Sequence, residues 1–357
     1  MKARYDVQGI IFTTVPHRPS GFPADPDGYT EWIVLSPTKH KVLEAPGYPQ
    51  RVPKPAGPPA YAIRSAPNMG TGLFATKDIK CGELILAERP LLVSPRNIVQ
   101  RLPCLANLPA DCDVSTATAV VSLEFERQLE MSMARMSPEN RAAYKSLLVH
   151  PKEGCGPLLG VIQTNSYGVD ELFDGPELLP SSENVYAVVT KIGSRINHSC
   201  RPNILHKFSL ASFSLQFYAE VDIKKGDQFF YSYCAENQSV ADRQNQLSGY
   251  GFVCTCPACA NATPESDKLR EEYAQQAKQY CQTIARWNSS TLKRSESAID
   301  PILKFREALI KEGLNASGNY RDLTTRIVQF YSKRGLTEKA NAYREEVESY
   351  RNGFGAS

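Results

Sequence analysis

Three thiols within six residues, Cys254, Cys256 and Cys259, constrain this 357-residue chain more than any other feature. A structural zinc site is tetrahedral and takes four protein ligands. The C-x-C-x-x-C run therefore has to recruit a fourth ligand from elsewhere in the chain. Cys281 falls on an apolar helical stripe, where a free cysteine behaves as a small hydrophobe, which leaves Cys200 and Cys234. Four of the ten cysteines concentrate at positions 200, 254, 256 and 259 and the others are scattered. That is metal spacing in a reducing compartment rather than a disulfide framework.

Cys200 lies in residues 193 to 203, GSRINHSCRPN. Asn197, His198, Ser199 and Cys200 place an amide, an imidazole, a hydroxyl and a thiol in succession, closed by Arg201 and Pro202. Taken alone, the stretch reads as an Asx-type turn whose side chains serve their own backbone. If Cys200 ligates zinc, the same stretch ties a polar loop to the thiol cluster.

Residues 1 to 60 are dense in proline and glycine, with short β-rich pieces at 9 to 15 and 31 to 35, and read as a loop-rich N-terminal extension. From Tyr61 the chain turns to strand patterns: YAIRSA, a Gly70-Thr71-Gly72 joint, and the apolar run at residues 84 to 86 after the turn Lys80-Cys81-Gly82. Paired glycines let backbone approach a ligand closely, although such a pair is commonly only a turn. Residues 122 to 136 and 139 to 148 show helical spacing, with Ser137 before Pro138 as cap and first helical residue, and form a helical insertion at about 96 to 156. Strand-like material resumes at 158 to 169 and 185 to 192, and a hairpin pattern leads through Phe208 and Phe217 to QFFYSYC. Beyond residue 260 the periodicity is helical, with Asp300-Pro301 opening one helix and Gly313 closing it.

The formal net charge is +3, and no long-range field announces a polyanionic partner. Basic residues are not clustered around the cysteines, so direct nucleic-acid binding is not expected. No apolar run approaches the roughly 20 residues of a membrane helix, and no charged leader with an apolar core opens the chain. The expected setting is cytosol or nucleus, with no membrane partner.

The ordered set GTGLFATKDIKCGE, NSY, GSRINHSCRPN, VDIKKGDQFFYSY and YGFVCTCPAC resembles the SET-domain protein lysine methyltransferases over about residues 61 to 260. The cysteine directly after Asn-His-Ser, the helical insertion and the helical tail look like the SET and MYND subgroup. One departure is plain: the MYND cluster of cysteines and histidines is absent from the insertion, which holds only Cys104, Cys112 and Cys155. The resemblance implies an α+β chain. Its parts would be a SET-type β-fold with the insertion, a post-SET zinc site at 254 to 259 and an α-helical C-terminal domain at 261 to 357.

It further implies S-adenosylmethionine on one side of the fold and a lysine channel for a protein substrate on the other. Gly70, Thr71 and Gly72 would meet the cofactor through their backbone, and Asn165, Ser194, Asn197 and His198 would hold its amino-acid and adenosine parts. Phe252 would pack on the adenine, Tyr250 would line the channel, and Tyr233 would be the catalytic phenol. Cys200 becomes the favoured fourth zinc ligand, with Cys234 its rival. The chemistry suits these residue types. A free lysine with pKa about 10.4 is almost wholly protonated near neutrality, and an apolar aromatic channel lowers that pKa by desolvation. The alternative expectation is a catalytically weak SET-type module that binds peptides through the same aromatic channel.

Overall fold

The computed structural model describes residues 10–17, 24–96, 108–109, 111–150, 154–172, 185–290 and 294–354; Cys104 lies outside them. The chain divides into two compact units, each discontinuous in sequence.

The first unit comprises Met1–Ala56, Leu86–Arg195 and His206–Phe217. Its sheet runs Ile10–Val15, Thr30–Leu35, Leu92–Pro95, Tyr186–Val189, Tyr167–Val169 in spatial order. Ile10 pairs with Leu35 and Val15 with Thr30 in an antiparallel ladder. Trp32, Ile33 and Val34 are consecutive and all buried, as expected of a strand covered on both faces. The stretch read as a loop-rich extension thus supplies two strands of this sheet. Its prolines and glycines lie outside the strands, and its pairing with Leu92–Pro95 joins residues distant in sequence.

Helices Val114–Arg135 and Pro138–Lys145 begin on side-chain caps: Asp113 accepts from the Thr116 N–H and Ser137 from that of Asn140. They pack Phe125, Leu129, Met133 and Tyr144 against Ile33, Leu92 and Val189. Residues 158 to 169, expected as a strand, form a helix, Pro157–Asn165, followed by the short strand Tyr167–Val169. Leu158, Leu159, Val161 and Ile162 are all buried. A helix apolar on every side has no amphipathic period to distinguish it from a buried strand, and Pro157 at its first turn is the signal that favours helix.

The second unit comprises Gly57–Ile85, Ile196–Leu205 and Tyr218–Ser357. Tyr61–Ala66 and Gly70–Ala75 form an antiparallel hairpin. Asn68 and Gly70 take positive φ at its turn, 58° and 70°. Phe230–Tyr231 runs parallel to Asn197–His198, and the Phe229 N–H donates to the Leu73 carbonyl at 2.8 Å. This places the short parallel pair beside the hairpin. Helices Val240–Ser248, Pro257–Ala260, Pro264–Ser289, Asp300–Glu312, Gly318–Ser332 and Thr337–Phe354 follow. Thr263 and Ser266 form a reciprocal capping box at the start of the longest, and Gly313, at φ 76°, ends the helix opened by Asp300. Ile284, Ile302, Leu323, Ile327 and Phe330 fill the core between the last four. No helix among the described residues is long and apolar enough to cross a membrane.

Candidate active site and thiol cluster

Strand geometry turns successive side chains to opposite faces, and the strand Asn197–His198 uses this to serve two neighbourhoods. Asn197 Nδ2 donates to the Thr71 carbonyl at 3.1 Å, anchoring the strand to the Gly70–Ala75 edge. A Cβ on Gly72 would come within 2.8 Å of Asn197 Nδ2 and would run into Gln228 Nε2. Gln228 Nε2 is itself buried with no hydrogen-bond partner among the described residues.

On the other face, His198 Nδ1 accepts the Tyr233 backbone N–H at 2.9 Å, and Nε2 lies 3.3 Å from Cys200 Sγ. With Nδ1 accepting, the neutral ring carries its proton on Nε2 and points it at sulfur. His198 is thus committed to holding backbone and thiol, which leaves neither nitrogen for general-base work. The Tyr233 hydroxyl donates to the Ile196 carbonyl at 2.5 Å. Desolvation, with Tyr250 adding to it, pushes the Tyr233 phenol above its ordinary value, so it stays protonated and acts as a donor. Tyr250 and His198 lie with ring centroids 5.0 and 5.3 Å from that of Tyr233, and Phe252 lies 5.9 Å from His198. The four rings form one aromatic group bordering Cys200.

The sulfurs of Cys200, Cys254, Cys256 and Cys259 lie within 4.8 Å of one another, with Cys200 and Cys259 3.5 Å apart. Tetrahedral zinc at about 2.3 Å from each sulfur sets sulfur pairs roughly 3.8 Å apart, so the donor set fits that ion. Cys234 instead groups with His198 and Cys200. Leu247, Ala258, Tyr250 and Phe252 wall the cluster.

Two buried arginines, which the sequence reading did not single out, bracket the thiols. Arg243 is 0% exposed; its Nη2 lies 3.4 Å from the Ala258 carbonyl and 3.8 Å from Cys259 Sγ, and its Nη1 donates to the Gln238 carbonyl. Burial works against its charge, and the sulfurs of Cys259 and Cys200 outweigh that effect. Arg270, also 0% exposed, donates to the carbonyls of Cys200 at 3.3 Å and Glu236 at 3.0 Å and pairs with Glu312 at 2.6 Å. In a sequence both look like ordinary surface charges; the available signal is that Arg243 lies four residues from buried Leu247 on one helix face.

Gly70, Thr71, Gly72, Asn197, His198, Tyr233, Tyr250, Phe252, Cys200, Cys254, Cys256 and Cys259 all fall in the second unit. Asn165 and Ser194 fall in the first and meet there, with Ser194 Oγ donating to the Asn165 carbonyl at 2.9 Å and accepting the Thr190 N–H at 3.0 Å. Asn165 Nδ2 donates to the Leu148 and Val161 carbonyls. Both side chains therefore hold backbone.

Residues 70–234 match the SET domain family. The histone-lysine N-methyltransferase set5 of Schizosaccharomyces pombe is 24% identical over 63% of this chain and 58% of that protein. The human protein-lysine N-trimethyltransferase SMYD5 is 38% identical over 21% of this chain and 19% of its own length. The S. pombe SET domain and MYND-type zinc finger protein 6 is 42% identical over 20% of this chain and 15% of that protein. The chain thus spans less than two thirds of the length of these relatives. Among solved structures it is similar to the SET domain of LSMT bound to lysine and AdoHcy, at 15% identity and a TM-score of 0.31, covering 90% of this chain and 89% of that one. The family match spans the second hairpin strand, the Asn197 strand and Tyr233, and the chain is similar there to SET-domain proteins that include members of the SET and MYND subgroup.

Proposed function

We propose that this chain is an S-adenosylmethionine-dependent protein lysine N-methyltransferase acting on a histone or non-histone protein. The observation that carries the reading is the convergence of Asn197, His198, Tyr233, Tyr250 and Phe252 on one short parallel strand pair, beside a hairpin edge where a side chain at Gly72 would displace the Gln228 and Asn197 amides. The close approach at Gly72 and the unpartnered Gln228 amide beside it suit a polar ligand lying against the hairpin.

When bound, S-adenosylmethionine supplies an electrophilic methyl group on a sulfonium. In this reading the backbone of Gly70, Thr71 and Gly72 and the side chain of Asn197 hold it, His198 fixes the strand that presents Asn197, and Phe252 packs on its adenine. Asn165 and Ser194, which the resemblance also assigns to the cofactor, hold backbone within the first unit. Tyr250 and Tyr233 wall the lysine channel. Their rings desolvate the entering ammonium, which lowers its pKa and favours the neutral amine. Holding donor and acceptor together converts encounter into positioning. The Tyr233 hydroxyl, protonated, orients the reacting groups and takes up no proton.

Zinc on Cys200, Cys254, Cys256 and Cys259 is structural in this reading, fixing Tyr250 and Phe252 just before the thiol run. Arg243 offsets the negative charge of four thiolates. The domain reading goes with it: SET residues 61 to 260, including the insertion at 96 to 156, then helices from 261 to 357. The test is calorimetric binding of S-adenosylmethionine and labelled methyl transfer into a cell lysate by zinc-loaded protein, with Tyr233→Phe as control. Absence of both binding and transfer would overturn the proposal. Binding without transfer, unchanged by Tyr233→Phe, would replace it with a peptide-binding module.

A further inference from the structure

Tyr231, Ser232, Cys234, Glu236, Asn237 and Tyr273 line a cavity of about 330 Å³ within the second unit. Three of them, Tyr231, Ser232 and Cys234, are the chain neighbours of Tyr233, so the cavity borders the segment that carries the proposed catalytic phenol. The Glu236 side chain is its only carboxylate. Among the described residues that carboxylate makes no hydrogen bond and no ion pair, although Arg270 is near it. The reason is that the Arg270 donors are engaged elsewhere, on the Glu312 carboxylate and on the carbonyls of Glu312, Cys200 and Glu236 itself.

A partly buried carboxylate without a bonded cation carries a desolvation cost that a guest cation recovers and an apolar or acidic guest does not. Tyrosine walls add cation–π attraction for such a guest. We propose that this cavity receives an arginine or lysine side chain of the acceptor protein, one that flanks the methylated lysine, with Glu236 as its counter-ion and Tyr231 and Tyr273 as its walls. The inference rests on the methyltransferase reading for the words "acceptor protein", and it narrows the substrate class to lysines with a basic neighbour. An extended peptide advances about 3.3 Å per residue, so the paired basic residue stands a fixed, small number of positions from the acceptor.

The test is fluorescence anisotropy with the full zinc-loaded chain and S-adenosylhomocysteine. The probes are labelled alanine- and serine-based peptides with one central lysine and a single arginine moved through the flanking positions, each matched by a citrulline control. One register should bind about tenfold or more tighter with arginine than with citrulline, a difference on the scale of one buried charge pair. Glu236→Gln should erase that difference while leaving S-adenosylhomocysteine affinity unchanged, and Asn237→Asp, which adds a second carboxylate, should enlarge it. Equal binding of arginine and citrulline peptides in every register, no binding of either, or a preference that survives Glu236→Gln would overturn the proposal. Failure of the methyltransferase reading shows separately, as absent methyl transfer from a protein whose arginine preference still depends on Glu236.

Discussion

Replacing Arg270 by methionine should cost about 3–5 kcal/mol of stability, the usual range for breaking a buried ion pair from one side. Methionine keeps much of the aliphatic stem and removes every donor. The Glu312 side chain is only 16% exposed and would lose the cation that it pairs with at 2.6 Å. Three carbonyls, those of Cys200, Glu236 and Glu312, would lose donors at 3.0 to 3.3 Å. Each orphaned acceptor costs about 1–3 kcal/mol in isolation, but the groups share one guanidinium, so the penalties do not add. Urea unfolding of zinc-loaded protein, followed by far-ultraviolet circular dichroism, reads the loss as a midpoint shift of roughly 1–5 M for slopes of about 1–3 kcal/mol per molar. The double variant Arg270→Met with Glu312→Leu should recover part of the loss, because it removes the stranded charge as well. A single variant within about 1 kcal/mol of wild type, or a double variant no better than the single, would refute the reasoning.

Chelating zinc, or replacing Cys256 with serine, should cost the chain its bound metal and lower its melting temperature, because metal affinity at such sites is folding free energy; metal analysis alongside thermal melts checks it, and unchanged melting would contradict it. Tyr233→Phe removes one hydrogen bond, to Ile196, and should change stability by no more than about 1.5 kcal/mol while methyl transfer falls at least about tenfold, as for a lost transition-state donor; a large stability loss with normal transfer per folded molecule would reverse the assignment. Glu220 is pushed up to about 7 by burial, which outweighs the neighbouring Arg321. Its folded pKa lies above the ordinary 4.5, so its contribution is fully present below about pH 4.5 and is lost as pH rises through about 7, a change on the order of 3 kcal/mol. Glu220→Gln should flatten stability against pH across that window, and melts that keep the wild-type slope would count against it.

What the sequence made legible is local. Ser137 with Pro138, and Asp300 with Gly313, mark helix ends because capping is decided by a few adjacent residues, and the observed helices begin and end there. The three-thiol run is equally local, whereas its completion by Cys200 requires closing 54 residues of chain up to Cys254 (254 − 200), and only the resemblance chose Cys200 over Cys234. The helix Pro157–Asn165 was hidden because burial on all sides erases its period. Arg243 and Arg270 were hidden for the converse reason: a charged side chain carries no mark in the sequence that it will be enclosed. The pairing of Thr30–Leu35 with Leu92–Pro95 depends on a parallel register between distant strands, which no short window encodes.

The Asn-His-Ser-Cys order follows from strand alternation once the register is fixed. Asn197 faces the hairpin, while His198 and Cys200, two residues apart, share the opposite face with Tyr233 and the thiols. Between them Ser199 turns inward to its own chain, accepting the Arg201 N–H at 3.0 Å and donating its backbone N–H to Tyr231. A slip of one residue would send the amide to the thiols and the imidazole to the hairpin, exchanging every role. Asn203 opposes that slip: its Nδ2 donates to the Gln228 carbonyl at 2.9 Å and its Oδ1 accepts the Phe230 N–H at 2.7 Å. Its own N–H bonds the Phe230 carbonyl at 3.1 Å. These three bonds clamp the strand that pairs Phe230 with Asn197 and Tyr231 with His198. The asparagine that ends the motif thus sets which face each earlier residue presents, and the thiol cluster and the aromatic group are built from a single register.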